Sequence, residues 1–412
     1  MSNSGKSAWA GVSLAVFAAA WGGNEFTPLL VMYRGHSHIS GVVVDALLFT
    51  YVLGIVPALL IGGPMSDRYG RRPLMLPSPL IAALGSALLA AGAHSVALLA
   101  VGRVFSGIAL GLAMAVGGSW IKELSDRAGA SATAGARRAA LSLTAGFGLG
   151  AAVAALLAQW APWPNQLAYL INIALALVAF TLLLGAPETR PTYRLEDRGG
   201  SLLDDLKIPS AGRRRFWLTV APTAPWVFGT CAVAYAVIPA LLTERTSGWE
   251  IVFAGLCCLI GLTAGFFVQT LGRRIDRPGS PLSSVVAMIL AGTGMVLAAV
   301  SAATTSIAVG LVAAGVLGCG YGMTLISGLL EVQRIAGPND LAGLTAVFYS
   351  LTYLGFASPA IMAWLNEHTG VGYPAMLTFG AVMCLVCLVV VAVSKRGPVP
   401  VTRRHREQAV DI

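Results

Sequence analysis

Twelve runs of mostly apolar residues follow one another along the chain, each close to the roughly 20 residues that a helix needs to cross a bilayer. In lipid, every backbone N–H and C=O must find its partner inside the protein, so runs of this kind fold as helices or not at all. We place the spans near 8–33, 41–63, 73–93, 95–119, 137–160, 164–186, 216–240, 249–270, 281–302, 305–330, 340–365 and 371–394. A hydrophobic fraction of 56% with only 11% charged residues over 412 positions is incompatible with a soluble domain of this size. The expected fold class is therefore an all-α membrane protein.

Between spans two and three lies Gly63-Pro-Met-Ser-Asp67-Arg68-Tyr-Gly70-Arg71-Arg72, which reads as a short loop with one acid and three arginines. A weakened copy, Gly265, Gln269, Gly272, Arg273 and Arg274, stands 202 positions later throughout. One constant offset at corresponding places marks a duplicated bundle, with function expected between the halves. This divides the chain into a six-helix bundle over 1–190, a cytoplasmic linker over 191–215, a second bundle over 216–394 and a basic tail over 395–412. The linker reads as a tether with a short amphipathic piece around Leu202 to Ile208 on the membrane surface.

With the N-terminus on the inside, 24 of the 27 Lys and Arg residues fall in inside segments, and only Arg34 and Arg245 lie outside. The positive-inside rule then puts both termini in the cytoplasm, as expected for a bacterial plasma membrane. Arg103 is the remaining basic residue, inside span four. A net charge of +9 distributed in this way is a topology signal, and nucleic acid is not an expected partner. Ala18-Ala19-Ala20 could imitate a signal-peptide cleavage site, but the apolar run continues to Leu30, which favours an uncleaved first helix. The six cysteines lack metal-ligand spacing, and His36, His38, His94 and His368 read as loop residues. No nucleophile with a base, metal cluster or phosphate loop is recognisable, so an enzyme or an ATP-driven pump is not expected.

On the loop after span two, on Arg103-x-x-x-Gly107-x-x-x-Gly111 in span four and on Pro187-Glu188-Thr189 after span six, the chain resembles the major facilitator superfamily over essentially its whole length. The resemblance implies two six-helix bundles around a central cavity, lined by spans 1, 4, 7 and 10, that alternates its opening between the two sides. It also implies that Asp67, with Arg68 and Arg71, latches the inner gate against the start of span eleven at Pro338-Asn339-Asp340. Gly63 and Gly70 would permit the close approach and tight turn that such a latch requires. Gln269 replaces the acid in the second copy, so the latch is expected to be asymmetric. Glu123 and Arg127 after span four are echoed by Glu331 and Arg334 after span ten. The alternative reading of these echoes is ordinary loop charge.

Among eighteen acids Glu25 is the one placed deep in a span, and an intramembrane carboxylate is costly enough to imply a function. Glu25 and Arg103 fall at similar depth, roughly 12 Å below the outer surface at 1.5 Å per residue, and could meet across the cavity. Making and breaking that contact would load and unload a proton; a static ion pair is the structural alternative. Asp45 is shallower, either a second protonation site or a rim charge, with the rim preferred. Asn24 beside Glu25 is expected mainly to pack. Pro28 leaves the Asn24 carbonyl without its usual helix donor, and Gly22-Gly23 makes span one bendable.

Trp226, Tyr235, Tyr321, Tyr349 and Tyr353 suggest an apolar, aromatic pocket with few charged anchors. Such a pocket suits lipophilic or amphipathic solutes, cationic ones above all if Glu25 is exposed, and points to proton-coupled efflux by a monomer in membrane lipid, with the proton gradient as energy source and no cofactor. One departure stands against it: drug antiporters of the family carry a Gly-Pro motif in span five, whereas Gly146, Gly148 and Gly150 occur here without proline. The alternatives are a proton symporter importing a small polar or anionic solute anchored on Arg103, and a receptor that binds without transport.

Overall fold

The computed structural model describes residues 8–36, 39–131, 133–190, 208–337 and 341–394. The tail and residues 191–207 of the linker, with nearly all of the amphipathic piece, lie outside them, as do the cap at Pro338 to Asp340 and His38. Among the described residues there are 12 helices long and apolar enough to cross a membrane. They are α1 Ala8–Gly35, α2 Gly41–Tyr69, α3 Arg71–Ala91, α4 Val96–Arg127, α5 Ala134–Trp160, α6 Leu167–Leu184, α7 Phe216–Leu241, α8 Glu250–Ile275, α9 Leu282–Thr304, α10 Ile307–Ile335, α11 Gly343–Thr369 and α12 Tyr373–Val393. The protein is an all-α integral membrane protein. The hydrophobic window of α1 is 89% buried and that of α7 is 78%, against 17% for α12, so α1 and α7 are central and α12 lies at the periphery.

Lipid tails are as apolar as leucine, so helices in a bilayer associate by close packing, which small residues allow. A Cβ on Gly54 would collide with the Val104 carbonyl and one on Gly107 with the Tyr51 carbonyl, while one on Gly111 would come within 2.6 Å of the Ala58 side chain. These three glycines bring α2 and α4 to backbone contact. The second half repeats the device: a Cβ on Gly318 would meet the Gly261 backbone and one on Gly322 the Gly265 carbonyl, which joins α8 to α10. Gly146 and Gly150, read from sequence only as lacking a proline partner, seat α5 on α1, where a Cβ on Gly150 would lie 2.8 Å from Trp21 Cα.

Five helices are irregular. α3 breaks at Leu76, between helical segments Arg71–Met75 and Pro77–Ala91. α1 is interrupted at Glu25, between helical segments Ala8–Asn24 and Phe26–His36, as the missing N–H of Pro28 requires. α4 contains a π-helical turn over Ala113–Gly117, and α7 contains two, over Phe216–Val220 and Val233–Val237. α11 tightens to a 3-10 turn over Leu354–Ala357, where Gly355 packs directly on the Pro225 to Gly229 backbone. The segment expected as a loop after span two is almost entirely helical. α2 runs through Asp67 and Arg68 to Tyr69, and α3 begins at Arg71, so Gly70 alone makes the break. Its φ of +101° explains why glycine is needed there.

The contrast between tight and open glycine sites gives a test of this packing. Gly107→Leu should destabilise the detergent-solubilised protein by at least about 1–3 kcal/mol, the usual range for overpacking, and Gly118→Leu, which meets nothing within 4 Å, should leave its Tm nearly unchanged.

Candidate functional site

Two cavities lie on the axis between the halves. The wider, about 460 Å³, is lined by the ends of helices nearest the Gly70 turn, among them Gly63, Ser119, Ala139, Gln269 and Thr345, and reaches inward to Phe147, Leu262, Tyr321 and Tyr349. Among the described residues, none that lines it is charged. Beyond it, further from the Gly70 turn, is a small chamber of about 20 Å³, bordered by Asn24, Tyr51, Arg103, Phe228, Tyr235 and Phe356. Phe147, Leu262 and Tyr321 line both and form the wall between them. The molecule is thus open toward the face that carries Gly70 and closed toward the opposite face.

Aromatic rings build the closed end. Phe228 stacks on Tyr353 with centroids 4.4 Å apart and on Phe356 at 4.8 Å, and Tyr51 meets Tyr353 edge-on at 5.9 Å. Of the aromatics expected around the pocket, Tyr235, Tyr321 and Tyr349 line one cavity or both, and Tyr353 stands behind them in the seal. Trp226 departs from expectation: its indole Nε1 donates to Cys387 Sγ at 3.4 Å, so the ring faces α12. Two residues further on, a helix has turned by about 200°, which is why Phe228 takes the place assigned to Trp226.

Asn24 does more than pack. Its Nδ2 donates to the Phe147 carbonyl at 2.9 Å and to Cys258 Sγ of the other half at 3.3 Å, while its Oδ1 accepts from Thr27 at 2.8 Å. Near the opposite face Gln159, at the end of α5, accepts from the Ile251 and Val252 backbone N–H groups at 3.1 and 3.4 Å and donates to the Gly248 carbonyl at 3.1 Å. One side-chain amide of the first half thereby caps the N-terminus of a helix in the second.

The expected Glu25–Arg103 ion pair is absent. Glu25, fully buried, turns into the first bundle, where Ser86 donates to its Oε1 at 3.0 Å and Asn172 in turn donates to Ser86 at 2.8 Å. Its Oε2 has no hydrogen-bond partner among the described residues, and Glu25 lines neither cavity. Arg103 is 1% exposed and donates from Nη1 to the Gly23 carbonyl at 3.1 Å and from Nε to that of Leu47 at 3.4 Å. Its guanidinium carbon sits 4.8 Å from the Phe26 ring and 4.5 Å from that of Tyr51. The break in α1 lies between the two groups: the Gly23 carbonyl before it faces Arg103, and Glu25 at the break points towards α3 and α6. Asp45, five residues into α2, is 3% exposed and paired with Arg34 at the end of α1.

At the Gly70 face, Asp67 pairs with Arg71 at 3.0 Å and with Arg190, and Arg71 pairs with Glu123 at 3.0 Å. The span-eleven partner proposed for Asp67 lies outside the described residues. Glu188 was missed as a site residue, although its motif was noticed. Its carboxylate accepts the backbone N–H groups of Arg71 and Arg72 at 3.0 and 2.8 Å and so caps α3, and it also accepts those of Thr189 and Arg190 at 2.8 and 2.9 Å. A Cβ on Gly70 would strike that carboxylate. Partial burial acts to raise the pKa of Glu188, but the four backbone donors outweigh it and hold the group below the usual glutamate range. Arg127 donates to the Glu188 and Thr189 carbonyls. In the second half Glu331 pairs with Arg215 at 2.6 Å and with Arg334 at 3.5 Å, and Arg334 pairs with Asp276, another residue the sequence reading passed over. Both halves thus fasten their helix ends with charges, but Gln269 bonds only its own helix, to the Gly265 carbonyl at 3.2 Å.

The family model described as Major Facilitator Superfamily matches residues 12–358. The chain belongs to the Major Facilitator Superfamily. Among curated relatives of this superfamily member, a Chloramphenicol resistance protein of Pseudomonas aeruginosa is 26% identical over 78% of this chain and 75% of its own. The Multidrug resistance protein MdtL of Klebsiella pneumoniae is 25% identical over 88% of each. In fold, the chain superposes on the nucleoside transporter NupG with a TM-score of 0.71 at 14% identity, covering 93% of this chain and 98% of that one. It superposes on a POT family transporter in complex with 5-aminolevulinic acid with a TM-score of 0.73 at 14% identity, covering 94% and 96%. The family and these neighbours are transporters, not enzymes.

Two contacts yield measurable expectations. Because the Glu188 pKa is lowered in the fold, its contribution to stability is complete above the ordinary carboxylate range and is lost as the pH falls through the folded value. Glu188→Gln should therefore flatten the acid limb of a Tm-against-pH curve, and an unchanged limb would remove the capping role. Gln159→Leu should shift the protein toward opening at the far face, read as an increase of at least about threefold in maleimide labelling of a cysteine placed at the buried Ala155, which packs on Gly255 of the other half, since each lost hydrogen bond contributes about 1 kcal/mol.

Proposed function

We propose that the protein exports lipophilic or amphipathic small molecules from the cytoplasm in exchange for protons, by alternating access. The observation that carries this reading is the 460 Å³ cavity between the halves, whose lining is mainly apolar and aromatic and holds no charge among the described residues. A site without charged or densely polar anchors selects by shape and apolar contact, and so accepts varied ligands. The names of the two curated relatives, for chloramphenicol and multidrug resistance, support export. The arginine-rich face that carries Gly70 is then the cytoplasmic one in a bacterial plasma membrane, and the cavity collects its cargo from that side.

Glu25 is the proton carrier in this scheme. A carboxylate buried without a cation costs several kcal/mol, whereas the neutral acid needs only the hydrogen bonds that Ser86 begins to supply. Its place inside the first bundle keeps it off the path of the cargo. Competition between proton and substrate then acts through α1, whose break at Glu25 joins the carboxyl to the Gly23 carbonyl held by Arg103.

The test is flux in proteoliposomes loaded with chloramphenicol. An acid external pH should accelerate release through the wild-type protein, and Glu25→Gln should abolish that acceleration while chloramphenicol counterflow at equal pH persists. Acceleration by an acid interior instead would mean that proton and solute travel together, and symport would replace antiport.

A further inference from the structure

Resting on the efflux reading above, we propose that the preferred cargo carries an anionic head, of the carboxylate type, which docks on Arg103 while its apolar body lies in the wide cavity. The charge that faces the central axis is a cation. Among the described residues the linings of the two cavities contain one charged residue between them, Arg103, at the far wall of the chamber. The acids that would attract a cationic drug are turned elsewhere, Glu25 to Ser86 inside the first bundle and Asp45 to Arg34. A cationic head brought to this chamber would meet only like charge.

Arg103 is also under-partnered. A guanidinium has five N–H donors, and the two hydrogen bonds to the Gly23 and Leu47 carbonyls leave the others without a protein acceptor among the described residues. No carboxylate lies within 4.0 Å of it, and the flanking Phe26 and Tyr51 rings offer only quadrupoles. Few arrangements retain a full charge at this depth without a function. An incoming carboxylate supplies the missing acceptors in the planar, two-pronged geometry that arginine favours over lysine.

Size decides how the head arrives. The chamber holds about 20 Å³, enough for one water-sized group, so a carboxylate enters only when the shared wall moves. Rotation of Tyr321 and Phe147 side chains joins the two volumes and leaves an aryl or alkyl body against Tyr349 and Leu262. Docking on Arg103 is then tied to rearrangement of residues from both halves, and the head group acts on the conformational equilibrium as well as on affinity.

The experiment compares phenylbutyrate, phenylbutylamine and phenylbutanol, which share one apolar body, as ligands of the purified full chain in detergent. Phenylbutyrate should bind at least about tenfold more tightly than the amine, and Arg103→Gln should erase that difference while phenylbutanol affinity stays within about twofold. If Arg103→Gln does not fold, Arg103→Lys takes its place: the charge stays but the planar fork is lost, so phenylbutyrate should weaken severalfold while phenylbutanol is spared. Tighter or equal binding of the amine, or a carboxylate preference that neither substitution reduces, overturns the proposal. Flux of the same probes separates the two readings. Acid-driven export of the amine with amine-selective binding keeps efflux and overturns the anionic head, whereas carboxylate-selective binding without pH-driven movement of any probe does the reverse.

Discussion

A backbone carbonyl released inside an apolar slab must find a donor, and that requirement organises the centre of this protein. Broken or π-helical backbone is tolerated at membrane depth only where it is enclosed by protein or borders a cavity. Here α1, α4, α7 and α11 are irregular and contribute to the axis between the halves, whereas the break of α3 at Leu76 borders neither cavity. The break at Glu25 shows the logic most clearly. Pro28 removes a donor, the helix parts, the carbonyl of Gly23 before the break faces Arg103, and the Glu25 carboxyl at the break points off the axis into the first bundle.

Regular packing surrounds this irregular core. Glycine pairs bring α2 to α4 and α8 to α10 at backbone distance, so the paired helices move as units and the bending is left to the axis. Charges at the Gly70 face tie the helix ends within each half: Arg71 to Glu123, Glu188 to the start of α3, Arg334 to Asp276. The two ion pairs are partly buried, so loss of hydration offsets much of their attraction and their value lies in fixing geometry.

Helix number, order and approximate ends were legible in the sequence because a span of apolar residues in a bilayer has one viable fold. So was the duplication, which depends on counting along the chain. What a count cannot supply is azimuth. Trp226 and Phe228 are equally plausible by composition, and only the packing of α7 against α11 and α12 decides which ring faces inward. The same holds for Glu25, whose side chain at the break points to Ser86 rather than to the cavity. Glu188 and Asp276 escaped notice for another reason: their partners are distant in sequence, and one set of them is backbone N–H, which carries no side-chain signature.

The cross-half contact of Gln159 with the start of α8 involves no net charge, in contrast to the arginine-rich opposite end of the molecule. Dissolved salt screens ion pairs but scarcely affects a hydrogen bond between an amide and a peptide group. The Gln159 contact therefore follows hydration and temperature, while ionic strength acts on the ion pairs of the Gly70 end and, at the Gln159 end, on the pair of Arg34 with Asp45.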